Sequence, residues 1–69
     1  MLTDFKIKLA AVRVNANMTQ AEWAKALNVD KSTIYNWESG KGEPSASALR
    51  KMSELSGIPM DFIFVPDNS

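Results

Sequence analysis

The sequence predicts an all-α fold, a compact bundle of five helices forming one small domain. Three observations carry that expectation. Apolar residues recur at three- and four-residue spacings, Thr3, Thr19, Asp30 and Ser45 stand where side chains cap helices, and no alternating run is long enough to build a sheet. At 69 residues a chain buries only about 60% of its unfolded surface and supports a single core. The domain is expected over residues 1–65, with residues 66–69 fraying.

The first helix is expected to open on Thr3, with Asp4 complementing the positive end of the dipole. Phe5, Leu9 and Val12 follow at i, i+4 and i+7 and share one face. Ile7 and Val14 point to the other side; Ile7 could staple to Leu2, and with Ala11 the two form an outer apolar stripe with two accounts, a protein-contact surface or merely tolerated surface apolar groups. "NANM" then breaks the pattern. Thr19 and Glu22 make a T-x-x-E capping box for the second helix, with Met18 and Trp23 placed as its hydrophobic staple. Its inward face is Trp23, Ala24 and Leu27, and it stops at Asn28, a residue that tolerates a left-handed backbone.

Asp30 follows at once as the cap of the third helix, with Val29 and Ile34 as a second staple. Ile34 and Trp37 face inward, and Gly40 ends the helix before a loop containing Gly42 and Pro44. The shared face of Ile34 and Trp37 makes the indole a core group rather than a base-stacking platform. Ser45 opens the fourth helix, which presents Ala48, Leu49, Met52 and Leu55 and closes at Gly57. A short fifth helix is expected from Pro59 through "PMDFIF".

Composition excludes more than it selects. With no cysteine and no histidine, the chain lacks disulfides, the commonest general base and most transition-metal ligands, so neither an enzyme, a metal site nor a cofactor is expected. No small-molecule substrate is expected either. No apolar run approaches the length of a membrane span, and no signal-peptide pattern opens the chain, which fits a cytoplasmic protein. The formal net charge is 0, but residues 1–56 hold all eight basic residues and six of the eight acidic ones, with Asp61 and Asp67 making up the rest. A polyanion partner would have to be held by a few well-placed groups, helped by neutral donors and helix N-termini.

Residues 20–39 have the packing logic of a helix-turn-helix: small Ala24 at the helix crossing, Asn28 and Val29 in the turn, Ile34 and Trp37 anchoring the second helix on the first. Lys31, Ser32, Tyr35 and Asn36 are left facing outward. Lys31 can donate to guanine O6 or N7, Asn36 can engage adenine N6 and N7, Ser32 can bond base or phosphate, and Tyr35 can meet a thymine methyl. Simple solvation of Lys31, a covering role for Tyr35 and a plain helix start at Gln20 are the competing accounts.

Over "MTQAEWAKALNVDKSTIYNWESGKGEPS" and the following "ALRKMSELSGI" the chain resembles the Cro and phage-repressor type of helix-turn-helix protein, the lambda-repressor-like family. The resemblance implies a five-helix lambda-repressor-like domain whose third helix enters the major groove. It implies base contacts from Lys31, Ser32, Tyr35 and Asn36. Gln20 would bond a phosphate and brace a recognition-helix side chain, and Thr33, Ser39 and Lys41 would approach phosphates. Lys25, on the outside of the second helix, is a further phosphate candidate. Trp23 departs from the smaller aliphatic residue more usual there. With one cation on the third helix and Asp30 and Glu38 flanking it, affinity per monomer should be modest.

A homodimer would compensate, placing recognition helices about 34 Å apart on successive grooves. Phe62, Phe64 and Val65 are the preferred dimer contact, and Ile7 and Val14 a second protein surface. The expectation is therefore a sequence-specific transcriptional regulator of bacterial or phage type, Cro-like, acting on a double-stranded DNA operator in the cytoplasm of a bacterial or phage-infected host cell and lacking a sensor domain. The rival is a protein-interaction module that grips another regulator, such as a phage repressor's DNA-binding domain.

Overall fold

The computed structural model describes residues 6–63, so the expected roles of Thr3, Asp4, Phe5, Phe64 and Val65 lie outside the described residues. Four α-helices follow in order, α1 (Leu9–Asn15), α2 (Gln20–Leu27), α3 (Lys31–Glu38) and α4 (Ala46–Ser56), and a 3-10 turn spans Met60–Phe62. No β-sheet forms among the described residues; Ile7 and Ile63 make an isolated parallel bridge.

The first helix begins at Leu9, with extended Lys8 as its N-cap. Ile7 is therefore not helical. Its N–H donates to the Phe62 carbonyl at 2.6 Å, and its β-branched side chain packs against the core. In a continued helix the same side chain would have pointed away from Leu9 and Val12. The expected stripe of Ile7, Ala11 and Val14 is thus not one helical face: Ile7 is half-buried, whereas Val14 stands 60% exposed.

The turn chemistry of α2 follows the sequence closely. The Glu22 N–H donates to Thr19 Oγ1 at 3.1 Å and the Thr19 N–H donates to Glu22 Oε1 at 2.8 Å, so both halves of the capping box are made. At the other end Asn28 is left-handed, with φ 60° and ψ 46°. The Val29 N–H reaches the Ala24 carbonyl and the Asn28 N–H that of Lys25, a complete Schellman closure. Asp30 holds the N-cap position of α3 but its side chain accepts no capping bond; its carbonyl receives the Thr33 and Ile34 N–H groups instead. The expected cap is therefore a backbone one. Ser45 does cap α4, its Oγ accepting from the Ala48 N–H at 3.1 Å, and left-handed Gly57 closes it.

The fifth helix is reduced to the 3-10 turn. Extended Ile63 is drawn into the core at 4% exposure and bridged to Ile7, so the chain cannot continue winding. Leu9, Val12, Trp23, Ala24, Ile34 and Met52 complete the buried core, each at 5% exposure or less. Trp23, at 1%, is its central ring. Trp37 packs against the core, as the face it shares with Ile34 predicts, while staying partly exposed, with Gly42 beside the indole. Among the described residues no helix is long and apolar enough to cross a membrane.

Candidate nucleic-acid interface

Alternation around α3 separates an anchored side from an outward one. Ile34 is 1% exposed, and at 100° per residue its burial turns the opposite positions toward solvent. Lys31, Ser32, Tyr35 and Asn36 are all exposed, Tyr35 to 56%. No side-chain hydrogen bond to a described residue engages any of the four. They form one ridge whose donors, acceptors and ring are available to an external partner.

The residues expected near phosphates are arranged more unevenly. Lys25, Ser39 and Lys41 are exposed, while Thr33 is half-buried. Ser39 Oγ donates to the Asn36 carbonyl at 3.2 Å, and the Lys41 N–H reaches the same carbonyl at 2.8 Å. These two bonds fold the loop after α3 back onto the last turn of the helix. Gln20 is half-buried and donates from Nε2 to Glu38 Oε1 at 3.0 Å. It therefore braces an α3 side chain, as the resemblance implied, and the partner is Glu38.

Sequence reasoning did not single out Arg13. Its Nε donates to Glu38 Oε2 at 2.7 Å, its Nη2 to Oε1 at 3.3 Å, and its Nη1 to the Met18 carbonyl at 3.0 Å. The two side chains retain 16% and 10% exposure. The signal available was a guanidinium set among alanines and valines in "LAAVRVN", an environment that favours a partner for the charge. Its consequence alters the charge reading of α3. Glu38 was expected to repel phosphate alongside Asp30, but its carboxylate is met by Arg13 and Gln20.

The ridge is convex. An open cleft of 530 Å³ lies on the other side of α3, lined by Leu27, Val29, Trp37, Ala48 and Lys51 among others and by none of the four outward residues. Among the described residues no group of acidic, histidine or cysteine side chains could hold a metal ion. A protruding polar helix seated on an apolar base suits insertion into a groove of another molecule better than enclosure of a small one.

Residues 9–63, covering all four helices, match the family described as helix-turn-helix. The chain belongs to the helix-turn-helix family of Cro and repressor type. Its relatives are transcription regulators rather than enzymes. The helix-turn-helix chain is 36% identical over 58 residues to the transcriptional activator BcrR of Enterococcus faecalis, covering 84% of itself and 28% of that protein. It is 37% identical over 60 residues to a helix-turn-helix-type transcriptional regulator of Methanocaldococcus jannaschii, covering 87% of itself and 91% of the relative. The cryptic phage CTXphi transcriptional repressor RstR of Vibrio cholerae is 29% identical over 56 residues, covering 81% of this chain and 50% of that one. No solved structure gives a significant match.

Proposed function

We propose that this helix-turn-helix protein is a sequence-specific DNA-binding transcriptional regulator that inserts α3 into the major groove of an operator. The observation that carries the reading is the ridge: Lys31, Ser32, Tyr35 and Asn36 project together while Ile34 holds the helix down from behind. Lys31 reads guanine, Asn36 adenine, Ser32 either base or phosphate, and Tyr35 a thymine methyl. Gln20, Thr33, Ser39, Lys41 and Lys25 fix the register on the phosphates. The protein acts as a Cro-like regulator of phage or bacterial origin, in the cytoplasm, and the description of the Vibrio cholerae relative as a phage repressor supports the phage branch.

It works as a homodimer. Phe62, at 47% exposure, and the Phe64 and Val65 that follow it in the sequence supply the self-contact, so that two copies of α3 read a two-fold site.

Selection of bound fragments from random duplex DNA with purified protein tests the proposal, followed by Asn36→Ala and Lys31→Ala on the recovered site. Each substitution should cost about 1 to 3 kcal/mol there and relax preference at one position. Equal losses on every sequence would remove these residues from base reading. The exposed Val14 favours a second reading, a module that binds another regulator. Affinity that falls steeply with salt marks the DNA reader; affinity for a protein partner that is indifferent to salt marks the module.

A further inference from the structure

We infer that Asp30 sets base preference on the operator, its carboxylate accepting from the N4 amine of a cytosine while Lys31 donates to the guanine paired with it, a role that rests on the operator-binding reading. The side chain is not spent on the fold. Thr19, Asp30 and Ser45 occupy equivalent N-cap positions, all with extended backbone. The Thr19 and Ser45 oxygens accept from backbone N–H groups of the helices they open, whereas the Asp30 carboxylate, at a similar φ of −77° and ψ of 153°, accepts no capping bond. Asp30 is exposed, and among the described residues its side chain has no hydrogen-bond or ion-pair partner, Lys31 included.

Such a carboxylate needs a donor if DNA is to bind. Recognition helices of helix-turn-helix proteins meet base edges with their N-terminal residues, and Asp30 immediately precedes Lys31, the first residue of α3. Glu38, the acid at the other end of the helix, is paired with Arg13 at 2.7 Å; Asp30 has no such counter-ion. An uncompensated carboxylate weakens binding to a polyanion unless a donor on the DNA meets it. In the major groove that donor is an exocyclic amine, cytosine N4 or adenine N6. Lys31 decides between them. A G·C pair presents guanine N7 and O6 as acceptors and then the cytosine N4 donor, so a cation and a carboxylate on consecutive residues match one edge. An A·T pair ends on thymine O4, an acceptor, which would oppose the carboxylate.

Selection from random duplex DNA with wild-type protein should therefore return at least one constant G·C pair. Replacing the cytosine of each such pair in turn with 2-pyrimidinone, which lacks only the exocyclic amine, isolates the contact. At one pair the loss of the amine should weaken wild-type binding about tenfold, roughly the worth of one hydrogen bond to a charged group. Asp30→Ala and Asp30→Gly should bind that duplex and the unmodified one alike, within about twofold, and the unmodified one more weakly than wild type does. Gly suits an N-cap position without supplying an acceptor, and circular dichroism follows the folding of each variant through the titration.

An Asp30 that is merely solvated gives the opposite pattern. Removing its charge would then tighten binding to every duplex, and loss of the amine would affect wild type and variants equally. Either result, or a selected site with no constant G·C pair, would overturn the cytosine contact while leaving the operator reading in place. Wild-type protein with no affinity for any selected duplex would instead overturn the operator reading, and the contact with it.

Discussion

Replacing Arg13 with Met tests how much of the fold depends on the polar link between α1 and α3. The substitution keeps the aliphatic stem and removes three donors: two to Glu38 and one to the Met18 carbonyl. Breaking a fully buried ion pair costs about 3 to 5 kcal/mol because the surviving charge is stranded. Here the side chains keep 16% and 10% exposure and Gln20 still donates to Glu38, so water and the amide recover part of that loss. The expected cost is about 2 to 3 kcal/mol. A domain this small has a total stability of about 3 to 10 kcal/mol, so the melting temperature should fall by about 10 to 20 °C. Urea and thermal unfolding followed by tryptophan fluorescence measure it. Combining Arg13→Met with Glu38→Leu should restore most of the loss, to within about 1 kcal/mol of wild type, because no unpaired charge then remains. A single variant within about 0.5 kcal/mol of wild type, or a double variant no better than the single, would refute the account.

Trp23→Ala should cost about 3 to 5 kcal/mol and leave the chain largely unfolded at room temperature, whereas Trp37→Ala, at the margin of the core, should cost distinctly less; the reverse order in urea melts would mean the two rings have been assigned the wrong depths. Asn28, at φ 60°, should accept Gly with a change of no more than about 0.5 kcal/mol but lose about 1 kcal/mol to Ala, as measured by thermal unfolding. Phe62→Asp should leave the fold intact, since the ring is 47% exposed, and weaken self-association in sedimentation; an unchanged oligomer would move the interface elsewhere. A point substitution is needed for that test because deleting the chain beyond Gly57 would also take Ile63, at 4% exposure, out of the core.

The second and third helices were readable because their boundaries are set locally. Thr19 and Glu22 bond each other, Asn28 turns the chain by its own backbone preference, and Ile34 follows from spacing. The ends of the domain were not, because their conformation is decided at long range. Ile7 becomes extended through a bond to Phe62 that no local pattern announces, and the same bridge holds Ile63 out of the predicted fifth helix. Periodicity placed Trp37 on the inward side of its helix but could not give its depth: the indole packs against the core yet stays partly exposed, with Gly42 beside it. At the candidate site the outward ridge was legible from Ile34 alone. The Arg13 and Glu38 pairing, separated by 25 residues, required the fold to bring α1 against α3.

The junction of Ile7 with Ile63, reinforced by Lys6 Nζ donating to the Asp61 carbonyl at 2.7 Å, sets the two flanks of the polypeptide side by side. A covalent cross-link between the segments that meet at Ile7 and Ile63 should therefore raise resistance to denaturant, because the expanded state then has fewer configurations to explore.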